Sequence, residues 1–264
     1  MTATFWHIVK SEWMTLLRGR WVVIYGLIFL ILTDSLLRFG GGGPETLLSL
    51  SNIMLLSVPL VGMIYGTIYI YQSREFIELL LTQPVNRKTL YRGLFCGIAT
   101  PLMAAFMIGA GLPLGWHGTL FSDTGASLLV LSLGGLLSFI FTALGFVLGL
   151  KFFDDRIRGF GIALVIWFGM AILYDGLILM LVFLLSNFPL EPYIIGAMML
   201  NPVDLARILV LIEFDISALM GYTGALFNQL FGTGRGVAIA GSMLLIWLLV
   251  PVWIGERIFC HKDF

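Results

Sequence analysis

Six long apolar runs constrain this chain more than any other feature, at about 21–37, 47–71, 90–114, 126–152, 160–185 and 237–254. About 20 helical residues cross the roughly 30 Å of hydrocarbon in a bilayer. Inside lipid every backbone N–H and C=O must be satisfied within the protein, so such runs are helices. The composition agrees: 59% of the residues are hydrophobic and 11% are charged, against about 25% charged in a soluble domain. The expected fold is therefore all-α, a polytopic membrane protein with six transmembrane helices. Gly145 and Gly149 form a GxxxG pair that lets helices approach closely. Pro59 and Pro101 should kink their helices unless neighbours satisfy the freed carbonyls.

Charge placement orients the bundle. Six spans put both termini on one side, together with the loops 72–90 and 153–159. That side holds Lys10, Arg18, Arg20, Arg74, Arg87, Lys88, Arg92, Lys151, Arg156, Arg158, Arg257 and Lys262. The other side holds only Arg38, Arg207 and Arg235. The positive-inside rule then places the N- and C-termini in the cytoplasm. Cys96 and Cys260 fall beside basic segments on that side and should be free thiols. No small-residue cleavage site follows the first apolar run, so no cleaved signal peptide is expected.

Two amphipathic stretches border the spans on the basic side. Over residues 4–18, Phe5, Trp6, Val9, Trp13, Leu16 and Leu17 fall on one face. His7, Ser11, Thr15 and Arg18 fall on the other. A helix with tryptophans on its apolar face lies in the membrane interface, as an elbow leading into the first span. The second stretch, 73–89, is the most charged segment. At about 100° per residue, Arg74, Glu75, Glu78 and Thr82 share one arc, while Phe76, Ile77, Leu79, Leu80 and Leu81 fill the rest. Arg74 and Glu78 stand four apart and can pair. Pro84 stops the helix, because its ring disfavours αR for Gln83 and it lacks an N–H. Arg87, Lys88 and Arg92 follow as a basic cluster. Such a helix either anchors two spans at the interface or is a lever on which a soluble partner pushes.

On the far side the segment 187–235 is long. Asn201 is a strong N-cap, followed by Pro202 at the first helical position and Asp204 in the first turn. Asp215 could cap a second helix through Phe231. The acids and Arg207 make two further spans costly, so a helical hairpin on the outer face is expected. Two acids fall within the spans. Asp34 can pair with Arg38 one turn later, at the outer rim. Asp175 lies deeper without an obvious local partner, which favours a hydrogen bond to a neighbouring helix.

Catalytic signatures are lacking. The sequence contains no HExxH, no GxSxG and no GxxxxGK[ST]. No catalytic residue or metal ligand is assigned, and the twelve methionines, Met103 and Met107 among them, are read as packing.

Three stretches together resemble the ABC-2 type permeases, membrane subunits of ATP-binding-cassette transporters: Glu78–Gly93, Leu200–Leu209 with Tyr174 and Asp175, and the basic tail Arg257–Phe264. The last two are more characteristic of a branch that serves maturation of periplasmic nitrous oxide reductase, a copper enzyme. This chain has Glu75 and Phe76 where that branch usually has Gly-Thr, and Leu94 where it usually has Lys. The resemblance implies one ABC-2 transmembrane domain over 1–264 in the bacterial inner membrane, working as a pair over two ATPase subunits. The partner ATPases bind ATP and Mg, while this chain binds no cofactor and no nucleic acid. Arg74, Glu75, Phe76, Glu78, Leu79, Leu80, Pro84 and Arg87 would couple to the ATPase. Asn201, Pro202, Asp204 and Arg207 would contact a periplasmic partner. An ABC-2 exporter of a drug, lipid or ion, with no periplasmic partner, is the alternative.

Overall fold

A computed structural model describes residues 2–18, 20–82, 85–184, 196–214 and 234–262. The expected stop at Pro84, the stretch 187–195, the second arm of the outer hairpin (Asp215 to Phe231) and the last two residues lie outside the described residues. Among the described residues the chain is helical, without strands.

The interfacial helix α1 spans Thr2–Arg18. After it, Arg20 takes a left-handed backbone (φ 60°) that turns the chain into α2, Trp21–Gly40. There follow α3 (Pro44–Gln72), the short α4 (Arg74–Leu81), α5 (Arg87–Trp116), α6 (Thr119–Ser122) and α7 (Thr124–Lys151). The fifth span is broken into α8 (Arg156–Phe168), a π-helical turn (Gly169–Leu173) and α9 (Tyr174–Leu184). A short helix, α10 (Pro202–Glu213), precedes the last, α11 (Gly234–His261). Among the described residues, six segments are long and apolar enough to cross a membrane, with the interrupted Arg156–Met180 counted as one. Pro59 and Pro101 lie inside α3 and α5, which continue as α-helix through them.

The core is the packing of α3 and α5 around α7. Leu137, Ile140, Phe141 and Phe146 of α7 are fully buried. The GxxxG pair makes this possible. A Cβ on Gly66 would lie 2.5 Å from Thr142 O, and one on Gly145 would lie 2.6 Å from Met63 O, so the two backbones touch. Thr67 bridges the contact, its hydroxyl donating to Met63 O at 2.8 Å within its own helix and to Gly145 O at 3.2 Å across the interface. Near one end, the rings of Tyr91, Phe95 and Phe146 pack together, with Phe259 of α11 against Tyr91 at 5.8 Å. The apolar residues of α2, α9 and α11 that miss this core, such as Ile31, Phe183 and Leu249, are exposed. In a spanning helix those faces meet lipid.

Candidate functional site

The end of the bundle holding α1, α4 and the last turn of α11 is basic, and its charges form a connected platform. α4 is rooted by Ile77, which is fully buried, while Leu80 and Leu81 pack against the core. Phe76 and Leu79 remain 41% and 59% exposed, and Glu75 is exposed as well. Arg74 holds the helix from the side. Its Nε meets Glu78 Oε1 at 2.9 Å, the expected pair, and Nη1 reaches Asp154 at 3.7 Å. Its guanidinium also lies over the Phe153 ring at 4.6 Å.

The basic cluster after α4 is spent inside the protein. Asn86 caps α5 by accepting from Lys88 N. Arg87 donates to Cys260 O and Lys262 O, both at 3.0 Å. These carbonyls, near the end of α11, would otherwise lack partners. Arg92 pairs with Glu256 at 2.7 Å, with Lys88 at 3.9 Å from the same carboxylate. Lys262 donates to Leu150 O at the end of α7, at 2.7 Å. The segment after α4, the end of α7 and the end of α11 are thus tied together. Arg87 is a clamp within the chain, and the outward surface of the platform is α4.

The second cluster lies where the fifth span is interrupted. In a π-turn the hydrogen-bond register slips by one residue, which exposes a carbonyl. Asn201 uses it: its side-chain N–H donates to Met170 O at 2.7 Å, while Oδ1 accepts from Val203 N at 3.1 Å and caps α10. Tyr174 donates to Ala197 O and Trp247 to Met199 O, pinning the residues before the cap. Two residues past the turn, Asp175 forms an ion pair with Arg207, which also lies 3.4 Å from Asp204. The deep acid therefore has a neighbouring-helix partner, in the arginine read from sequence as an outer contact. Asp204 is 3% exposed and its Oδ2 has no hydrogen-bond partner. Burial, and then the Asp175 carboxylate beside it, push Asp204 up to about 7.

Asn201, Pro202 and Asp204 are all buried, so the three face the bundle and not solvent. Only Arg207 of the expected four is partly open. The stretch begins as a cap because it must seat on the π-turn, and the same capping pattern serves a buried helix as well as an exposed one. At the far rim Asp34 pairs with Arg38 at 2.7 Å, as its spacing predicts. It is also met by His117 at 2.9 Å and by Trp116 at 3.2 Å, both from the end of α5. Of the methionines, Met54 and Met63 are wholly buried, and Met103 and Met107 border Gly135.

One charged residue escaped the helical-face reading. Glu12 on α1 is 5% exposed, turned towards α5 and the Tyr69 hydroxyl. Burial raises its pKa and the Tyr69 hydroxyl opposes that rise. The signal was present: at 100° per residue Glu12 falls at the edge of the apolar stripe, beside Phe5 and Leu16.

This fold and platform define a class first: an all-helical membrane protein of six spans with an interfacial N-terminal helix and a short amphipathic helix between its second and third spans. No family model matches the chain. Two curated relatives do. A probable ABC transporter permease protein NosY of Pseudomonas aeruginosa is 28% identical over 271 residues, covering 96% of this chain and 94% of the relative. The protein of the same description from Stutzerimonas stutzeri is 26% identical over 273 residues, covering 95% and 93%. The chain thus resembles an ABC-2 type permease, of the NosY kind, along nearly its whole length. That similarity supports a permease subunit of an ABC transporter.

Proposed function

We propose that this chain couples ATP hydrolysis in a separate ATPase subunit to events on the far side of the bacterial inner membrane. The observation that carries the reading is α4: a helix fixed from within by Ile77 and Arg74 that presents Phe76, Leu79 and Glu75 outward. An amphipathic helix laid into a partner's groove is a recurring recognition mode. In this reading the basic end faces the cytoplasm, and two copies of the chain stand over two NosF-like ATPases. These bind ATP and Mg, and this chain performs no catalysis of its own. Force on α4 passes directly into α3, which ends one residue before it and packs along α7. A NosD-like periplasmic partner would meet the outer region, with Asn201, Pro202 and Asp204 acting from inside to set that region's position. The branch resemblance points to maturation of nitrous oxide reductase, with copper or sulfur supply as the service.

The test is Leu79→Asp, which puts a charge on the outward face without touching the buried one. Co-purification of the ATPase, and its stimulation by the permease, should fall about tenfold, the equivalent of about 1.4 kcal/mol. Membrane insertion and melting should be unchanged. Full ATPase association in this variant overturns the proposal.

A further inference from the structure

Under α1 at the basic end lies a cleft of about 400 Å³ to which ATPase coupling gives no role. Its lining includes Glu12 of α1, Trp21 of α2, Tyr65, Tyr69 and Ser73 at the end of α3, and Phe76 of α4. Glu12 is the unusual member. Among the described residues no basic side chain forms an ion pair with it, although the basic end carries most of the lysines and arginines. A buried carboxylate without a cation is costly, and a single phenol does not neutralise it. The fold nonetheless makes room for it. A Cβ on Gly97 of α5 would lie 2.7 Å from the Glu12 Cβ, so the neighbouring helix is hollowed where the acid seats.

A carboxylate lining a cleft together with aromatic rings is the chemistry that recognises an ammonium group. The position says where that ammonium comes from. Trp6, Trp13 and Trp21 are exposed along α1 and at the start of the first span, which sets this end of the bundle at the headgroup layer. We propose that the cleft binds the primary ammonium headgroup of a membrane aminolipid, of the phosphatidylethanolamine type. Glu12 is the counter-ion, Trp21 and Tyr65 are the aromatic walls, and the acyl chains remain in the bilayer. The bound headgroup touches α1, α2 and α3 at once. The inference rests on the membrane reading of the fold and not on the identity of the ATPase.

The intact chain, purified in mild detergent and exchanged into micelles with equal phosphatidylethanolamine and phosphatidylglycerol, tests this by native mass spectrometry. Retained phosphatidylethanolamine should exceed phosphatidylglycerol by about tenfold. Glu12→Gln should bring the two within about twofold, with melting unchanged, and Glu12→Asp should keep part of the preference. Equal retention of the two lipids by the unmodified chain overturns the proposal, as does an undiminished preference in Glu12→Gln. Displacement of the lipid by millimolar free ethanolamine also overturns the lipid source, assigning the cleft to a soluble amine. If Glu12→Gln does not fold, Tyr65→Ala at the wall decides by the same readout: loss of preference supports the site and full preference overturns it.

Discussion

Asp204 carries the most distinctive residue-level chemistry outside the basic platform. Its pKa of about 7 arises from burial first and from the Asp175 carboxylate second, with Arg207 opposing both. In the unfolded chain it titrates near 4. The folded carboxyl therefore holds its proton more tightly, and stability from this group is complete below about pH 4 and is lost as pH rises to about 7. Asp204→Asn removes that loss. At pH 8 the variant should melt roughly 2–4 °C higher than the parent, matching about 1 kcal/mol, and at pH 4 the two should coincide. A variant that melts lower at both values would show that the carboxylate is required as an acceptor for Arg207. Asp175 and Arg207 were each visible as charges in the sequence, but their pairing was not. They are separated by a long segment, and a capping motif on an outer segment reads the same whether it faces solvent or the bundle. Asp34 and Arg38 were legible because they stand one turn apart. Glu12 was legible only as an acid at the edge of the apolar stripe of α1.

Among the elements, the spans were read correctly because each repeats the same apolar signal over 17 or more residues, longer than any boundary error. The break in the fifth span left no such trace. Gly-Met-Ala-Ile-Leu, the π-turn, is as apolar as its flanks and contains no proline. What fixes it is Asn201, thirty-one residues away, which occupies the freed Met170 carbonyl and caps α10 with the same amide. Asn201→Ala removes both bonds and leaves a buried carbonyl unpaired, a loss of about 2 kcal/mol and roughly 4–8 °C in melting temperature. Hydrogen exchange should quicken at 169–173 and at the start of α10 together. Faster exchange in α10 alone would mean that the π-turn holds its register without the asparagine.

For the whole molecule, the unequal ends decide which way the bundle faces. The described basic residues at the α4 end include Lys10, Arg74, Arg87, Lys88, Arg92, Lys151, Arg156, Arg158, Arg257 and Lys262. At the opposite end, among the side chains described, Arg38 and Arg207 are each paired with an acid, Asp34 and Asp175. The bias that retains positive loops in the cytoplasm therefore acts almost entirely on one end. The native thiols provide the reporter: Cys96 and Cys260 are free and partly exposed, and Cys260 lies in the last turn of α11 at the basic end. Phe121, 78% exposed on α6, marks the other end. In intact spheroplasts a membrane-impermeant maleimide should leave the native thiols unlabelled and react with a Phe121→Cys variant, and lysis should open Cys260 to the reagent. Labelling of Cys260 before lysis, with Phe121→Cys protected, would invert the bundle. The α4 surface would then face away from every cytoplasmic ATPase, and the coupling reading would fail with it.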